Sequence, residues 1–263
     1  MSYSPQMCRV CGAVANGIGS GEVLGLVVQY AECPACGYVQ TEQPHWLEQA
    51  YAEAINVSDT GILARNQVNA DIVVSALSLL GGLGLRVVDA AGGYGILVRL
   101  LRDLGVDAYW SDQYCANLVA RGFEYDGAGA GLVTAFEAFE HFVEPGEELD
   151  RLLAIAPNVL LSTVLIPDPT PQPGDWWYYG SEHGQHIGFF RARTLQKLAE
   201  ARGKCFVTDG RAYHLITDRA VSGLAWKVLL RLRKVVSLVA GWQLESKTWE
   251  DHLTLSGFKD KAE

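Results

Sequence analysis

The segment VVDAAGGYG (87–95) joins an apolar run to a glycine-rich turn. Residues 85–90 read as a buried strand and residues 96–104 as a helix, so the glycines fall at a strand-to-helix turn. Glycines there let a ligand come close to the backbone, and the start of the helix adds amide donors. The next strand, 106–111, runs into Asp112, twenty-three residues after Asp89. An acid at that place can hold two ribose hydroxyls in a doubly wound fold. The competing reading of Asp112 is an N-cap for a helix over 113–120.

Outward from this turn the chain keeps alternating strand and helix. Strands are expected at 132–136 and 159–165, helices at 61–80, 147–155 and 194–202. That order predicts an α/β, doubly wound, mostly parallel sheet. The ending differs: 205–208, Asp209-Gly210 and 212–217 read as an antiparallel hairpin with a type I′ turn. A long segment, 166–191, separates the strand at 159–165 from the helix after it. It carries four prolines, the run Trp176-Trp177-Tyr178-Tyr179, then His183 and His186. Long irregular segments in a globular domain are usually functional, and this one is expected to be a lid.

The glycine turn discriminates between cofactors. A dinucleotide site prefers G-x-G-x-x-G facing a pyrophosphate. Here the order is Asp-x-Ala-x-Gly-x-Gly, with the acid ahead of the glycines. S-adenosylmethionine has no pyrophosphate but has an amine, which Asp89 suits. The residues favour S-adenosylmethionine over NAD, with Asp89, Ala91, Gly93, Gly95 and Asp112 as cofactor contacts. Glu137, after the strand at 132–136, is placed to line the same pocket. Arg65-Asn66 is read either as reaching the cofactor carboxylate or as a solvated helix face.

Four of the six cysteines are paired by spacing: Cys8 with Cys11, and Cys33 with Cys36, twenty-one residues apart. Two C-x2-C turns supply four thiolates, which suits tetrahedral Zn²⁺ in a structural site with no open position. Residues 1–45 are therefore expected to be a zinc ribbon, which is too small to fold without a staple. Cys115 and Cys205 read as small buried apolar groups. Residues 46–218 form the α/β domain, and 219–263 a helical extension.

At this point the chain resembles the class I S-adenosylmethionine-dependent methyltransferases, over about 65–218. VVDAAGGYG resembles their V-L-D-x-G-x-G-x-G loop, with Ala91 at the first glycine. WSDQ (110–113) matches their second-strand acid, and TAFEAFEHF (134–142) their E-x-x-E-H motif. A narrower resemblance is to zinc-containing sugar C-methyltransferases, which carry E-H-x-x-Y-F-S-x-x-x-L. Here Gln185-His186-Ile187-Gly188-Phe189-Phe190 stands at that spacing, with Gln185 for Glu and Phe189 for Tyr. The resemblance implies His186 as catalytic base. His183 and His141 are the other candidates, since a neutral imidazole suits proton abstraction near pH 7. It also implies a sugar, nucleotide-sugar or glycan intermediate as acceptor, methylated on O or C. The aromatic run Trp176-Trp177-Tyr178-Tyr179 reads as a stacking wall for that substrate, or as a plug that orders the lid.

Composition bounds the rest. Lys and Arg number 21 against 30 Asp and Glu, for a net charge of −9. That disfavours nucleic acid as a partner, so an RNA methyltransferase gripping its substrate through the zinc module is the weaker alternative. A non-catalytic cofactor-binding protein of the same fold is the other. No apolar run is long enough for a transmembrane helix and no signal peptide is read, so a cytoplasmic protein is expected. Residues 220–240 form an apolar helix with Lys227, Arg231 and Lys234 on one face. It reads as a peripheral membrane contact, or as a core-packed or homodimer helix. Asp251-His252 could fold back on the active site.

Overall fold

The computed structural model describes residues 6–52 and 59–258. In chain order the elements are β1 (Gln6–Met7), β2 (Val14–Val23), β3 (Leu26–Glu32), β4 (Val39–Thr41), α1 (Leu47–Ala50), α2 (Ile62–Leu80), β5 (Val87–Asp89), α3 (Ile96–Asp103), β6 (Ala108–Trp110), β7 (Leu132–Phe136), α4 (Pro145–Ile155), β8 (Val159–Ser162), β9 (Gly188–Phe189), α5 (Ala192–Glu200), β10 (Cys205–Thr208), β11 (Tyr213–Thr217), α6 (Gly223–Arg231), α7 (Arg233–Ala240) and α8 (Thr248–Ser256).

Six strands form the main sheet, in the order β10-β11-β8-β7-β5-β6. The four from β5 to β8 are parallel, and β11 joins β8 antiparallel. Alternation along the strands divides the core. Val87, Leu132, Leu160 and Leu215 face α2, α3 and Trp226 of α6. Val88, Val133, Leu161 and Ile216 face α4, α5 and the cysteine-bearing ribbon. Burying one such side chain is worth about 1.5–3 kcal/mol, so both faces are needed to hold a sheet this small.

The ribbon is a second, antiparallel sheet, β1-β2-β3-β4-β9. Each C-x2-C closes on the same turn: the amides of Gly12 and Gly37 donate to the carbonyls of Cys8 and Cys33, both at 2.8 Å. The fifth strand, β9, is supplied by the 166–191 segment, with Val39 opposite Phe189. The segment expected as a lid is therefore tied to the ribbon near its C-terminal end. Ile187, Phe189 and Phe190 are fully buried, and the apolar content of the segment anchors it to the ribbon.

Other expectations are also corrected. No helix forms over 113–120; the Asp112 carboxylate instead captures the amides of Tyr114 and Cys115 at 2.7 and 2.8 Å, an Asx turn. The β10–β11 connection is longer than a type I′ turn, because Asp209 Oδ1 accepts from the amides of Arg211, Ala212 and Tyr213. The apolar segment at 220–240 is two helices. It breaks at Leu232, α7 packs along α2, and Trp226, Leu230 and Ala240 turn inward. Its outer side leaves Leu224, Leu232, Val235, Leu238 and Trp242 exposed. Cys205 is exposed, not buried, because β10 is the sheet edge. No helix among the described residues is long and apolar enough to cross a membrane.

Candidate functional site

In the parallel part of the sheet, β5 lies between β6 and β7, so the chain order reverses there and a crevice opens beyond the strand ends. The glycine turn fills its floor. Gly95 has φ +87° and a Cβ would collide with Asn117; at Gly92 a Cβ would collide with the Trp110 ring. Trp110 Nε1 donates to the Gly93 carbonyl at 2.9 Å and holds the turn open. Helix α3 then begins with no side-chain cap on its amides, which leaves the donor end available to a ligand. Ala91 stands where the first glycine of that loop would be, partly buried against the second core cluster.

The acids stand at the strand ends. Asp89 is buried at the tip of β5 and accepts from Thr134 Oγ1 at 2.7 Å. Burial pushes its carboxyl up to about 7. Asp112, beyond β6, accepts from the Gly93 amide at 2.9 Å through Oδ2, so it faces the glycine turn. Glu137, beyond β7, has φ +49°, which is unusual for a residue with a Cβ. Its Oε1 accepts from Ser162 Oγ at 2.6 Å, and burial together with the Glu140 charge raises its carboxyl to about 7.

Arg65 is tied to Asp59 by two hydrogen bonds of 2.8 and 2.6 Å. Asn66 Nδ2 donates to the Ile62 carbonyl of its own helix at 2.8 Å. As placed, the Arg65 guanidinium is engaged by Asp59, and one amide proton of Asn66 by its own helix.

Beside the crevice the structure gathers three imidazoles. The ring centroids of His141 and His186 are 5.0 Å apart, and those of His183 and His186 4.7 Å. Their tautomers follow from their partners. His186 Nδ1 lies 2.6 Å from the Tyr178 carbonyl, which can only accept, so Nδ1 carries the proton and Nε2 keeps its lone pair. His183 is the reverse: Nδ1 accepts from the Gln185 amide at 3.1 Å, and Nε2 packs against Gly180. The expectation of His183 as base is corrected on that ground. His141 Nδ1 pairs with the Tyr51 hydroxyl at 2.8 Å. Burial lowers the basicity of all three, and neighbouring imidazoles add to the effect for His141 and His183, which falls to about 4.

The aromatic run divides. Tyr178 and Tyr179 are 1% exposed. The Tyr178 hydroxyl donates to Glu140 Oε1 at 2.6 Å and that of Tyr179 to the Pro171 carbonyl at 2.8 Å. Reading these two as a substrate wall is corrected: they are the plug that seats the segment on the ribbon. Trp176 packs on Tyr178, Tyr179 and Phe189, and Trp177 is 76% exposed.

Residues 63–204, just over half of the chain, match the family described as a methyltransferase domain. The chain belongs to that family. Among solved structures, the 1,6-didemethyltoxoflavin-N1-methyltransferase of Burkholderia thailandensis is similar at 18% identity, over 72% of this chain and 93% of that one, with a TM-score of 0.47. The magnesium protoporphyrin IX methyltransferase of Synechocystis is similar at 18% identity, over 65% and 92%, with a TM-score of 0.43. TnmH is similar at 17% identity over 67% of this chain, which spans 62% of its length, with a TM-score of 0.46. No curated protein sequence matches significantly.

Ahead of the methyltransferase domain, the four cysteines of the ribbon converge. Cys8 Sγ lies 3.6 Å from Cys36 Sγ, and Cys11 Sγ 3.5 Å from Cys33 Sγ. All four ligand atoms fall within 4.8 Å of one another. Tetrahedral thiolates at about 2.3 Å from a zinc ion are about 3.8 Å apart, so the cluster fits that ion. Sequence reasoning gave no role to Glu140, Tyr51, Thr134 or Ser162. Only Glu140 had a signal, as the second acid of E-x-x-E-H; the others are polar residues that only the fold brings to the crevice. Asp251, read as folding back on the site, is instead held by Arg99 and Arg102 of α3, at 2.7 Å and at 2.8 and 2.6 Å.

Proposed function

We propose that the protein transfers a methyl group from S-adenosylmethionine to a nucleophilic oxygen or carbon of a small molecule. The observation that supports this most is Asp112 Oδ2 set against the Gly93 amide, with Asp89 at the adjacent strand tip. These groups, the open turn at Gly93 and Gly95 and the uncapped start of α3 make a cradle for a nucleoside with an amino-acid tail. Asp112 receives the ribose hydroxyls, Asp89 the amine, and Glu137 lines the far wall. When bound, S-adenosylmethionine would supply an electrophilic methyl on a sulfonium, with S-adenosylhomocysteine as the leaving group.

The chain's own residues orient the acceptor and take its proton. His186 Nε2 is the position for that proton, because the Tyr178 carbonyl fixes Nδ1 as the protonated nitrogen. His141, held by Tyr51, stands beside it. A sugar or glycan intermediate as acceptor rests on the sequence resemblance. Zn²⁺ on Cys8, Cys11, Cys33 and Cys36 would be structural, since four protein thiolates leave no position for substrate.

Calorimetric titration with S-adenosylhomocysteine, with NADH as control, tests the cofactor. Micromolar binding of the former alone is expected. Asp112→Asn, which keeps one acceptor oxygen for the turn, should weaken that binding about tenfold, the loss of one or two hydrogen bonds to a charged group. Binding of NADH, or unchanged affinity in the variant, sinks the assignment.

A further inference from the structure

The mechanism above uses one nitrogen of the imidazole cluster and leaves a carboxylate unexplained. Glu140 is fully buried, in the turn after β7. Its Oε1 accepts from Tyr178 at 2.6 Å, and the Thr163 hydroxyl and its own backbone amide also support the carboxyl, but buried Oε2 has no partner in hydrogen-bonding geometry. An unpaired buried carboxylate oxygen is costly, and a fold does not keep one without compensation. His141 Nε2 stands 4.0 Å from the other oxygen, Oε1, of the same carboxylate. One ligand atom each from Glu140, His141 and His186 can be chosen so that all lie within 4.8 Å of one another.

We infer that Glu140, His141 and His186 bind a divalent transition metal, and that an oxygen of the acceptor completes its coordination. This rests on the methyltransferase reading only for what fills the open positions. Two imidazoles and one carboxylate are a donor set that suits Zn²⁺ and its first-row neighbours and disfavours Mg²⁺, which prefers oxygen. Three ligands about 2.1 Å from a tetrahedral ion are about 3.4 Å apart, so closure draws ligand pairs together by up to about 1.4 Å, about 0.7 Å for each side chain. The outer shell is built as metal sites build it. His186 Nδ1 donates to the Tyr178 carbonyl, His141 Nδ1 pairs with Tyr51, and the Tyr178 hydroxyl holds the carboxylate. Tyr178 thus orients two of the three ligands, one through its backbone and one through its side chain.

Three protein ligands leave at least one position open, unlike the four-cysteine cluster. A hydroxyl coordinated there loses its proton to solvent water more readily, because the cation stabilises the oxyanion left behind. His186 Nε2 would then be a ligand, and the metal would do the work otherwise assigned to the base. The acceptor class that follows is a molecule whose methylated oxygen, alone or with a neighbouring hydroxyl or carbonyl, can bind a metal.

The test uses the full chain with its ribbon loaded with Zn²⁺, dialysed to remove weakly held metal and titrated with Co²⁺. One equivalent is expected, read by calorimetry and by a visible spectrum without the strong sulfur-to-cobalt band of a four-thiolate site. Glu140→Gln and His186→Asn should each lose that equivalent. Tyr178→Phe should weaken it roughly 10–100-fold, and His183→Asn, outside the ligand set, should leave it intact. S-adenosylhomocysteine binding, measured on every variant, shows that the fold persists. No Co²⁺ equivalent in the wild-type chain, with or without S-adenosylhomocysteine, overturns the inference, as does an equivalent that survives both ligand variants. Cofactor binding without Co²⁺ binding would leave the methyltransferase reading standing; the reverse would overturn that reading and leave the metal site.

Discussion

Asp89, proposed to hold the amine of the cofactor, shows the conflict that such an acid imposes on a fold. It is buried at the end of β5, and burial raises its carboxyl from 3.8 to about 7. The folded chain therefore holds the proton more tightly than the unfolded chain. Its contribution to stability is fully present below pH 4, is lost as pH rises to about 7, and stays lost above. Asn is neutral at every pH and keeps an oxygen for the Thr134 hydroxyl. Asp89→Asn should accordingly raise the stability of the cofactor-free protein at pH 8 by about 1–3 kcal/mol, with little gain at pH 4. Its affinity for S-adenosylhomocysteine should fall about tenfold, because the ligand's amine loses its charged partner. Melting curves at the two pH values and one titration check both halves. A variant that melts with the wild type at pH 8, or binds as tightly, would show that Asp89 is a structural acid.

At the scale of elements, α6 separates two readings of the C-terminal helices. Trp226 is fully buried in the core against α2, and its Nε1 donates to the Tyr213 carbonyl at 3.4 Å. Trp226→Ala should cost about 3–5 kcal/mol of stability, the usual effect of emptying an aromatic core site. Urea unfolding measures it; a loss under about 1 kcal/mol would mean that α6 is only lightly docked. The inward face was legible as helical spacing, but the break at Leu232 was not. No proline or glycine marks it, and it arises because α7 turns to lie along α2. The same contrast runs through the chain. The parallel strands, the glycine turn and the hairpin were legible because each has a local pattern. β9 was not, because a two-residue strand has no period to read and exists only by pairing with β4. The places of Asp89 and Asp112 beside the glycine turn were legible from their distance to the glycines. The joining of Glu140 to His141 and His186 was not, since 45 residues and a strand pairing separate the two histidines.

For the molecule as a whole, the ribbon is the support of the imidazole cluster. Arg9 Nη2 donates to the Ile187 carbonyl at 2.7 Å, Trp46 Nε1 to the Gly184 carbonyl at 2.8 Å, and Thr194 Oγ1 to the Cys36 carbonyl at 2.8 Å. With the β4–β9 pairing, these bonds hang residues 183–190 on the cysteine-bearing sheet. The glycine turn, Asp89 and Asp112 hang on β5 and β6 instead. Ribbon and α/β core also share one apolar cluster, in which Cys8, Cys33, Cys36 and Tyr38 meet Phe139, Phe190 and Leu195. Despite that shared cluster, loss of a structural metal should act unevenly, because the ribbon holds residues 183–190 by hydrogen bonds while β5, β7 and β8 pair with one another. In the double variant Cys33→Ser, Cys36→Ser the melting midpoint should fall by about 5 °C or more, since about 1 kcal/mol moves a chain of this size by about 2–4 °C. Hydrogen exchange should quicken in β2, β3, β4 and residues 183–190 while β5, β7 and β8 stay protected. S-adenosylhomocysteine should still bind within about threefold, because none of its contacts passes through the ribbon. If protection is lost equally in both sheets, the two sites are not separable and the ribbon is part of one cooperative unit. If neither exchange nor melting changes, the four thiols are not a structural metal site at all.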